Sequence, residues 1–190
     1  MKEKLLQFAQ TFVRLGEEER IAFEECMQIR AFKKKEHFLV AGEVCKQIGF
    51  VVTGFMRLYY LADGADVTKS FNFENTFCGS YASFITGQHA RFNVVAMEPS
   101  VLLTFNQKDL FALYDRYPNI QKLGRMSIES RFIKIEQREA SLLLDTPEQR
   151  YLDVLKNEPH LLQRVPLKFL ASYLGVTAET LSRIRSRLRR

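Results

Sequence analysis

The segment from Pro166 to Arg190 reads PLKFLASYLGVTAETLSRIRSRLRR and predicts two short helices joined by a tight turn. Its apolar positions fall at helical spacing: Leu167, Leu170, Ala171 and Leu174 in the first helix, and Leu181, Ile184 and Leu188 in the second. Gly175 suits the left-handed backbone in which helices often end, and Thr177 is a good N-cap for the next helix. This arrangement is typical of a helix–turn–helix.

The side of the second helix opposite its apolar face carries four polar residues at i, i+3, i+4 and i+7 spacing: Glu179, Ser182, Arg183 and Ser186. In a helix–turn–helix this side enters the major groove of DNA. Arg183 can donate two hydrogen bonds to a guanine, Glu179 can accept one from a cytosine amino group, and Ser182 can contact either kind of base edge. We therefore predict that these four residues read bases.

Positive charge is concentrated at the same end of the chain. Residues 1–160 hold equal numbers of basic and acidic side chains, whereas residues 161–190 hold seven basic side chains and one acidic side chain. A neutral body with a basic end is the electrostatic pattern of a protein that binds a polyanion, although a solvated basic helix without a partner would share it. We expect DNA phosphates to be contacted by Lys168, Thr177, Arg185, Arg187, Arg189 and Arg190.

The middle of the chain has the composition of β-structure. From about Ala31 to Phe105 it is rich in Val, Phe, Tyr and Thr, and turn signals such as Asp63-Gly64 divide it into short segments. Many short strands with regular turns predict a β-sandwich, a jelly roll or a small barrel. The segment before it, to about Arg30, shows helical spacing instead.

Helical patterning returns after the β-rich region. A long helix is predicted from Pro118 to about residue 144, and one of its faces carries Ile128, Phe132, Ile135 and Leu142. A stripe at this spacing indicates a coiled-coil seam between two copies of the chain, and the alternative is that the same face packs on the chain's own β domain. Asp145 or Thr146 can cap a further helix to about Asn157, and residues 157–166 then read as a connection.

On these motifs the chain resembles the Crp/Fnr family of bacterial transcription regulators. The sequence ETLSRIR (179–185) is similar to their recognition helix, GEVCKQIGFVVTGFMRLYY (42–60) to their β-roll, and FCGSYASFITGQHARFNVVA (77–96) to their phosphate-binding cassette. The C-terminal ending looks most like the branch common in Bacteroidetes-type bacteria.

The resemblance implies an α+β protein of three parts. These are an N-terminal double-stranded β-helix (jelly-roll) sensor domain with N-terminal helices over residues 1–117, a dimerisation helix over 118–145, and a helix–turn–helix domain over 146–190. It also implies a homodimer that binds a palindromic site in double-stranded DNA, with RNA polymerase as a further partner.

The resemblance places the effector pocket at Gly79, Ser80, Tyr81 and Arg91. Family members that bind cAMP carry an acid where this chain has Ser80, and an Arg-Ser pair where it has Ala90 and Arg91. A site built for a ribose hydroxyl loses much affinity without its polar partner. We therefore expect a pocket degenerate for cAMP, with another small ligand or none and no cofactor. A regulator with an intact cAMP or cGMP site is the alternative.

Other classes of protein find little support in the sequence. The three cysteines lie far apart without a zinc or iron–sulfur pattern, and no His and acid stand in a recognisable relation to the serines of GSYAS (79–83). We therefore expect neither a metal centre nor an enzyme. The apolar runs are too short to cross a bilayer, and the N-terminus lacks the pattern of a secretory signal, which predicts a cytoplasmic protein.

Overall fold

Two helices precede the β-rich region. The computed structural model describes residues 1–188, in which α1 spans Lys2–Gln10 and α2 spans Glu17–Glu25. The predicted helical segment is thus confirmed as far as Glu25. Its last residues were predicted wrongly, because Gln28–Phe32 forms strand β1 and pairs antiparallel with a strand more than seventy residues later. Such non-local backbone pairing overrides the local helical spacing.

The β-rich region forms two four-stranded sheets. Its strands after β1 are β2 (His37–Leu39), β3 (Gln47–Thr53), β4 (Met56–Ala62), β5 (Ala65–Asn72), β6 (Phe77–Cys78), β7 (Asn93–Ala96) and β8 (Ser100–Asn106). The strand orders are β1-β8-β3-β6 and β2-β7-β4-β5. Strand β8 pairs antiparallel with β1 and β3, and β7 pairs antiparallel with β2 and β4.

The core of this region draws side chains from both sheets. Leu102 and Leu103 on β8 and Met56 and Leu58 on β4 are fully buried in one apolar cluster, to which α1 adds Leu5. The predicted turn at Asp63-Gly64 is confirmed, since both residues have positive φ, 51° and 76°, and they join β4 to β5. Consecutive positive φ values are what a two-residue hairpin turn requires.

Most of the chain after β6 is helical. The helices are α3 (Tyr81–Thr86), α4 (Gln107–Arg116), α5 (Pro118–Leu144), α6 (Pro147–Asn157), α7 (Pro159–Arg164), α8 (Leu167–Tyr173) and α9 (Ala178–Leu188). The predicted long helix is confirmed as α5. The predicted cap of α6 is confirmed at Thr146, whose hydroxyl accepts a hydrogen bond from the backbone N–H of Gln149 at 3.3 Å. No helix in the described part of the chain combines the length and the apolar character that a bilayer-spanning helix needs.

Two details of the C-terminal region differ from the prediction. The segment 157–166 is not simply a connection, because Pro159 begins α7 and the side chain of Leu161 anchors that helix in the interior. Leu167 and Leu188 do not belong to the buried faces of their helices, since they are 36% and 40% exposed. Leu167 is the first residue of α8 and Leu188 is the last residue of α9. At the ends of such short helices few neighbouring side chains are available to cover them.

The described chain divides into two compact units. The first comprises Met1–Tyr60 and Ser70–Glu129, and the second comprises Leu61–Lys69 and the chain from Ser130 onward. The first unit therefore holds both sheets except the tip of the β4–β5 hairpin. The second unit holds that tip, the C-terminal half of α5, and α6 to α9.

Candidate nucleic-acid interface

A tight turn joins α8 to α9. The backbone N–H of Val176 donates to the carbonyl of Ala171 at 3.0 Å, and that of Gly175 donates to the carbonyl of Ser172 at 3.1 Å. This pair of bonds is a Schellman motif, which satisfies carbonyl groups at the end of a helix and requires a left-handed residue. Gly175 supplies that residue with φ of 68°. The predicted role of Gly175 is thereby confirmed.

Two arginines bind the carbonyl end of α8 within the second unit. Arg138 on α5 donates to the carbonyl of Tyr173 at 2.7 Å and lies 3.7 Å from the centre of the Tyr173 ring. Arg150 on α6 donates from Nε to the carbonyl of Leu174 at 2.9 Å. Burial lowers the pKa of Arg138, while the contact with Tyr173 acts in the opposite direction. Positive charge is favourable at a helix C-terminus, so these contacts hold α8 against α5 and α6.

The apolar face of α9 determines which of its side chains reach solvent. Leu181 and Ile184 are buried, at 0% and 3% exposed. The four predicted base-reading residues lie away from this buried pair and are all exposed: Glu179, Ser182, Arg183 and Ser186. The structure therefore places them together on one accessible side of α9.

Hydrogen bonds connect the first turns of α9. The backbone N–H of Thr180 donates to Oγ1 of Thr177 at 3.2 Å, which confirms the predicted cap. A guanidinium Nη2 of Arg183 donates to Oγ1 of Thr180 at 3.3 Å. Hydrogen bonds from its own backbone N–H and from the Thr177 hydroxyl lower the pKa of Glu179, and the charge of Arg183 lowers it further. Glu179 is therefore a carboxylate at neutral pH.

A groove runs between α9 and the first turn of α6. One wall is formed by residues 146–148, and the other wall includes all four predicted base-reading residues. Glu148, at the start of α6, forms an ion pair with Arg187 of α9, with an Oε2–Nη2 distance of 3.1 Å. Neither Glu148 nor Thr180 was predicted from the sequence as part of the site. Thr180 lies three residues before Arg183, a spacing at which two side chains of one helix can be in contact. In the sequence, Glu148 is recognisable only as an acidic residue in the first turn of α6.

Three of the predicted phosphate contacts are basic side chains of α8 and α9 within the described residues. Lys168 is exposed on α8, with Nζ 4.6 Å from the centre of the Phe169 ring. Arg185 is half-buried, and Arg187 is exposed despite its ion pair. Thr177, which caps α9, is exposed, and the last two predicted contacts, Arg189 and Arg190, lie outside the described residues.

The predicted effector pocket lies around α3 in the first unit. Gly79 has φ of 130°, a backbone conformation that is strained for any residue with a side chain, so this position favours glycine. Ser80 is buried, and its backbone N–H donates to Sγ of Cys45 at 3.4 Å. Tyr81 and Arg91 are exposed. Of the four residues, Ser80 is buried, Gly79 is half-buried, and Tyr81 and Arg91 reach solvent.

The predicted seam on α5 is largely open to solvent. Phe132 is 61% exposed, Ile135 and Leu142 are more than two-fifths exposed, and Ile128 is half-buried. The stripe is therefore accessible to another molecule.

The chain matches one protein family and the fold of several solved structures. Residues 29–117 match the cyclic nucleotide-binding domain. Similar structures include FixK2 from Bradyrhizobium japonicum, with 22% identity, a TM-score of 0.74, and coverage of 86% of this chain and 84% of that one. The c-di-GMP-responsive global regulator CLP of Xanthomonas campestris has 16% identity, a TM-score of 0.73 and 92% coverage of both chains.

A third similar structure is the catabolite activator protein of Thermus thermophilus, with 21% identity, a TM-score of 0.59, and coverage of 92% of this chain and 84% of that one. No curated protein matches the chain with significant sequence similarity. The comparisons thus support the resemblance at the level of one domain and of the fold: residues 29–117 match the cyclic nucleotide-binding domain, and the chain folds like these three structures.

Proposed function

We propose that the protein is a sequence-specific DNA-binding transcription regulator of the Crp/Fnr type that acts as a homodimer on a palindromic operator. The observation that carries this proposal is the two-sided character of α9, with Leu181 and Ile184 buried and four polar side chains exposed beside a groove. In this proposal α8 and α9 form a helix–turn–helix, and the two sheets form the jelly-roll sensor domain. The proposed parts are residues 1–117, 118–145 and 146–190.

The exposed face of α9 has the chemistry that base recognition needs. Arg183 offers a planar fork of donors for O6 and N7 of a guanine, and the ionised Glu179 offers an acceptor for a cytosine amino group. Lys168 on α8 and Arg185 and Arg187 on α9 add positive charge to the same two helices. Contacts to phosphate add affinity and fix the orientation of a protein on the duplex without reading sequence.

Dimerisation is proposed through α5. An exposed Phe132 and Ile135 on one face of a long helix are costly to leave in water, and pairing with the same stripe of a second copy buries both. Two copies then present two recognition helices to half-sites about one duplex turn apart, roughly 34 Å.

Selection of binding sites from random DNA with the purified protein tests this function. We expect a two-fold symmetric consensus with half-sites spaced by about one helical turn. Selection of no preferred sequence would refute sequence-specific binding, and an asymmetric consensus would refute the symmetric dimer.

A matched pair of variants tests the roles assigned to two side chains. Arg183→Ala should cost about 1–3 kcal/mol of binding free energy and relax discrimination at one guanine. Lys168→Ala should weaken all sequences alike and reduce the salt dependence. Unchanged base preferences for Arg183→Ala, or a loss at one base pair for Lys168→Ala, would contradict these assignments.

The proposed effector domain is degenerate for cAMP, because a buried serine stands where the cAMP-binding pattern has an acid. The match of residues 29–117 to the cyclic nucleotide-binding domain favours the alternative of a cyclic-nucleotide-responsive regulator. Titration calorimetry with cAMP and cGMP separates the two, since a flat titration eliminates the alternative. Control by a ligand would require different affinities for two states of the dimer.

A further inference from the structure

Three side chains at the start of α9 form a chain of hydrogen bonds, which we call the hydroxyl chain: Arg183, Thr180 and Thr177. A guanidinium can only donate, so Oγ1 of Thr180 accepts from Arg183 at 3.3 Å. The Oγ1 atoms of Thr180 and Thr177 lie 3.2 Å apart. The Thr177 hydroxyl is the donor of this pair, so Oγ1 of Thr180 accepts from both Thr177 and Arg183.

The hydroxyl chain reaches the second charged residue of the proposed base-reading face. Oγ1 of Thr177 also accepts a hydrogen bond from the backbone N–H of Thr180 at 3.2 Å. Hydrogen bonding with the Thr177 side chain is also one cause of the lowered pKa of Glu179. One pair of threonine hydroxyls thus connects the cation and the anion that face the groove.

We propose that Thr180 is a positioning residue for base recognition, whose hydroxyl orients the Arg183 guanidinium along the outer side of α9. The proposal rests on the proposed DNA-binding function. An arginine on a solvent-exposed helix has many rotamers, and restricting them before binding lowers the entropy lost on binding. One of the five N–H donors of Arg183 is used by Thr180, which leaves enough for a two-pronged contact with guanine.

The substitutions Thr180→Val and Thr180→Ser test this role. Valine has nearly the same shape but no hydroxyl, whereas serine keeps the hydroxyl, and neither change removes the backbone N–H that Thr177 caps. Affinities are measured on the selected consensus and on the same site with the Arg183-dependent guanine replaced. Thr180→Val should reduce discrimination at that guanine by about two- to ten-fold, the effect of one ordinary hydrogen bond, and Thr180→Ser should restore most of it.

A purely structural or phosphate-binding role predicts a different result. In that case Thr180→Val would weaken the consensus and the altered site equally and leave base preference unchanged, which would overturn the proposal. Circular dichroism of each variant identifies a loss of folding. Should the valine variant unfold, the serine variant together with Thr180→Ala supplies the same comparison.

A double variant shows whether Thr180 acts through Arg183. In the Arg183→Ala background, Thr180→Val should cause no further loss of discrimination at the guanine. A further loss there would mean that Thr180 itself contacts the base, and the positioning role would be wrong. Failure of the proposed function is distinguishable, because the wild-type protein would then show no base preference in the initial selection.

Discussion

The substitution Gly175→Ala tests whether the left-handed turn between α8 and α9 stabilises the C-terminal unit. Gly175 has φ of 68°, a conformation in which a Cβ is unfavourable by about 1–2 kcal/mol. An added Cβ would lie 3.4 Å from Cδ2 of Leu142, which is an ordinary van der Waals contact and adds little. The reduced freedom of the unfolded chain offsets about 0.4–1 kcal/mol. We therefore expect a net loss of about 1 kcal/mol.

Thermal unfolding followed by far-ultraviolet circular dichroism measures this loss. For a chain of this size, about 1 kcal/mol corresponds to a fall in Tm of about 2–4 °C. Gly87→Ala is a matched control, because Gly87 has φ of 70° with no atom within 4 Å of the added Cβ and lies in the first unit. Both variants should lose similar stability, but only Gly175→Ala should lower the affinity for DNA.

Two results would refute this reasoning. If Gly175→Ala melts within 1 °C of the wild type (about a quarter of the larger expected shift), the left-handed backbone is not required at this turn. If Gly87→Ala lowers DNA affinity as much as Gly175→Ala does, the effect on binding does not come from the turn between α8 and α9.

Three further predictions concern the seam, the buried face of α9 and a cysteine. Ile135→Glu should convert the dimer to monomers in sedimentation velocity, whereas Lys134→Glu should not, because only Ile135 lies on the seam. If the Ile135→Glu variant remains dimeric, the seam is not the dimer interface. Leu181→Ala should lower the free energy of unfolding by about 2–5 kcal/mol, measured with denaturant, and Leu188→Ala should lower it much less, because only Leu181 is fully buried. Equal losses of stability in the two variants would contradict this. Desolvation raises the pKa of Cys26 from 9.0 to about 11. Because only the thiolate reacts, the rate of Cys26 alkylation should rise about ten-fold per pH unit from pH 8 to 10. A rate that levels off near pH 9 would contradict the raised pKa.

Local patterns in the sequence were sufficient for much of the helical structure. Pro118 begins α5 and Thr146 caps α6 as predicted, because proline preference and capping depend only on residues within one helical turn. The turn at Gly175 was predictable for the same reason, since a left-handed residue at a helix end favours glycine in almost any context. The match to the cyclic nucleotide-binding domain was likewise foreseen from motifs contiguous in the chain.

Burial at the ends of helices could not be predicted from spacing. Leu188 continues the apolar repeat of Leu181 and Ile184, yet it is exposed, because burial depends on how far the neighbouring helix extends. The strand β1 was misread for a related reason, since its conformation follows from pairing with β8.

By itself, the sequence determined the positions of the long helix, the caps and the polar side of α9, because each depends on contacts between residues a few positions apart. Only the tertiary structure decided that Glu148 pairs with Arg187, since this contact joins helices separated in the chain. The hydrogen bond from Arg183 to the Thr180 hydroxyl is local to α9, but the spacing only permits it, and the side-chain rotamers in the structure make it.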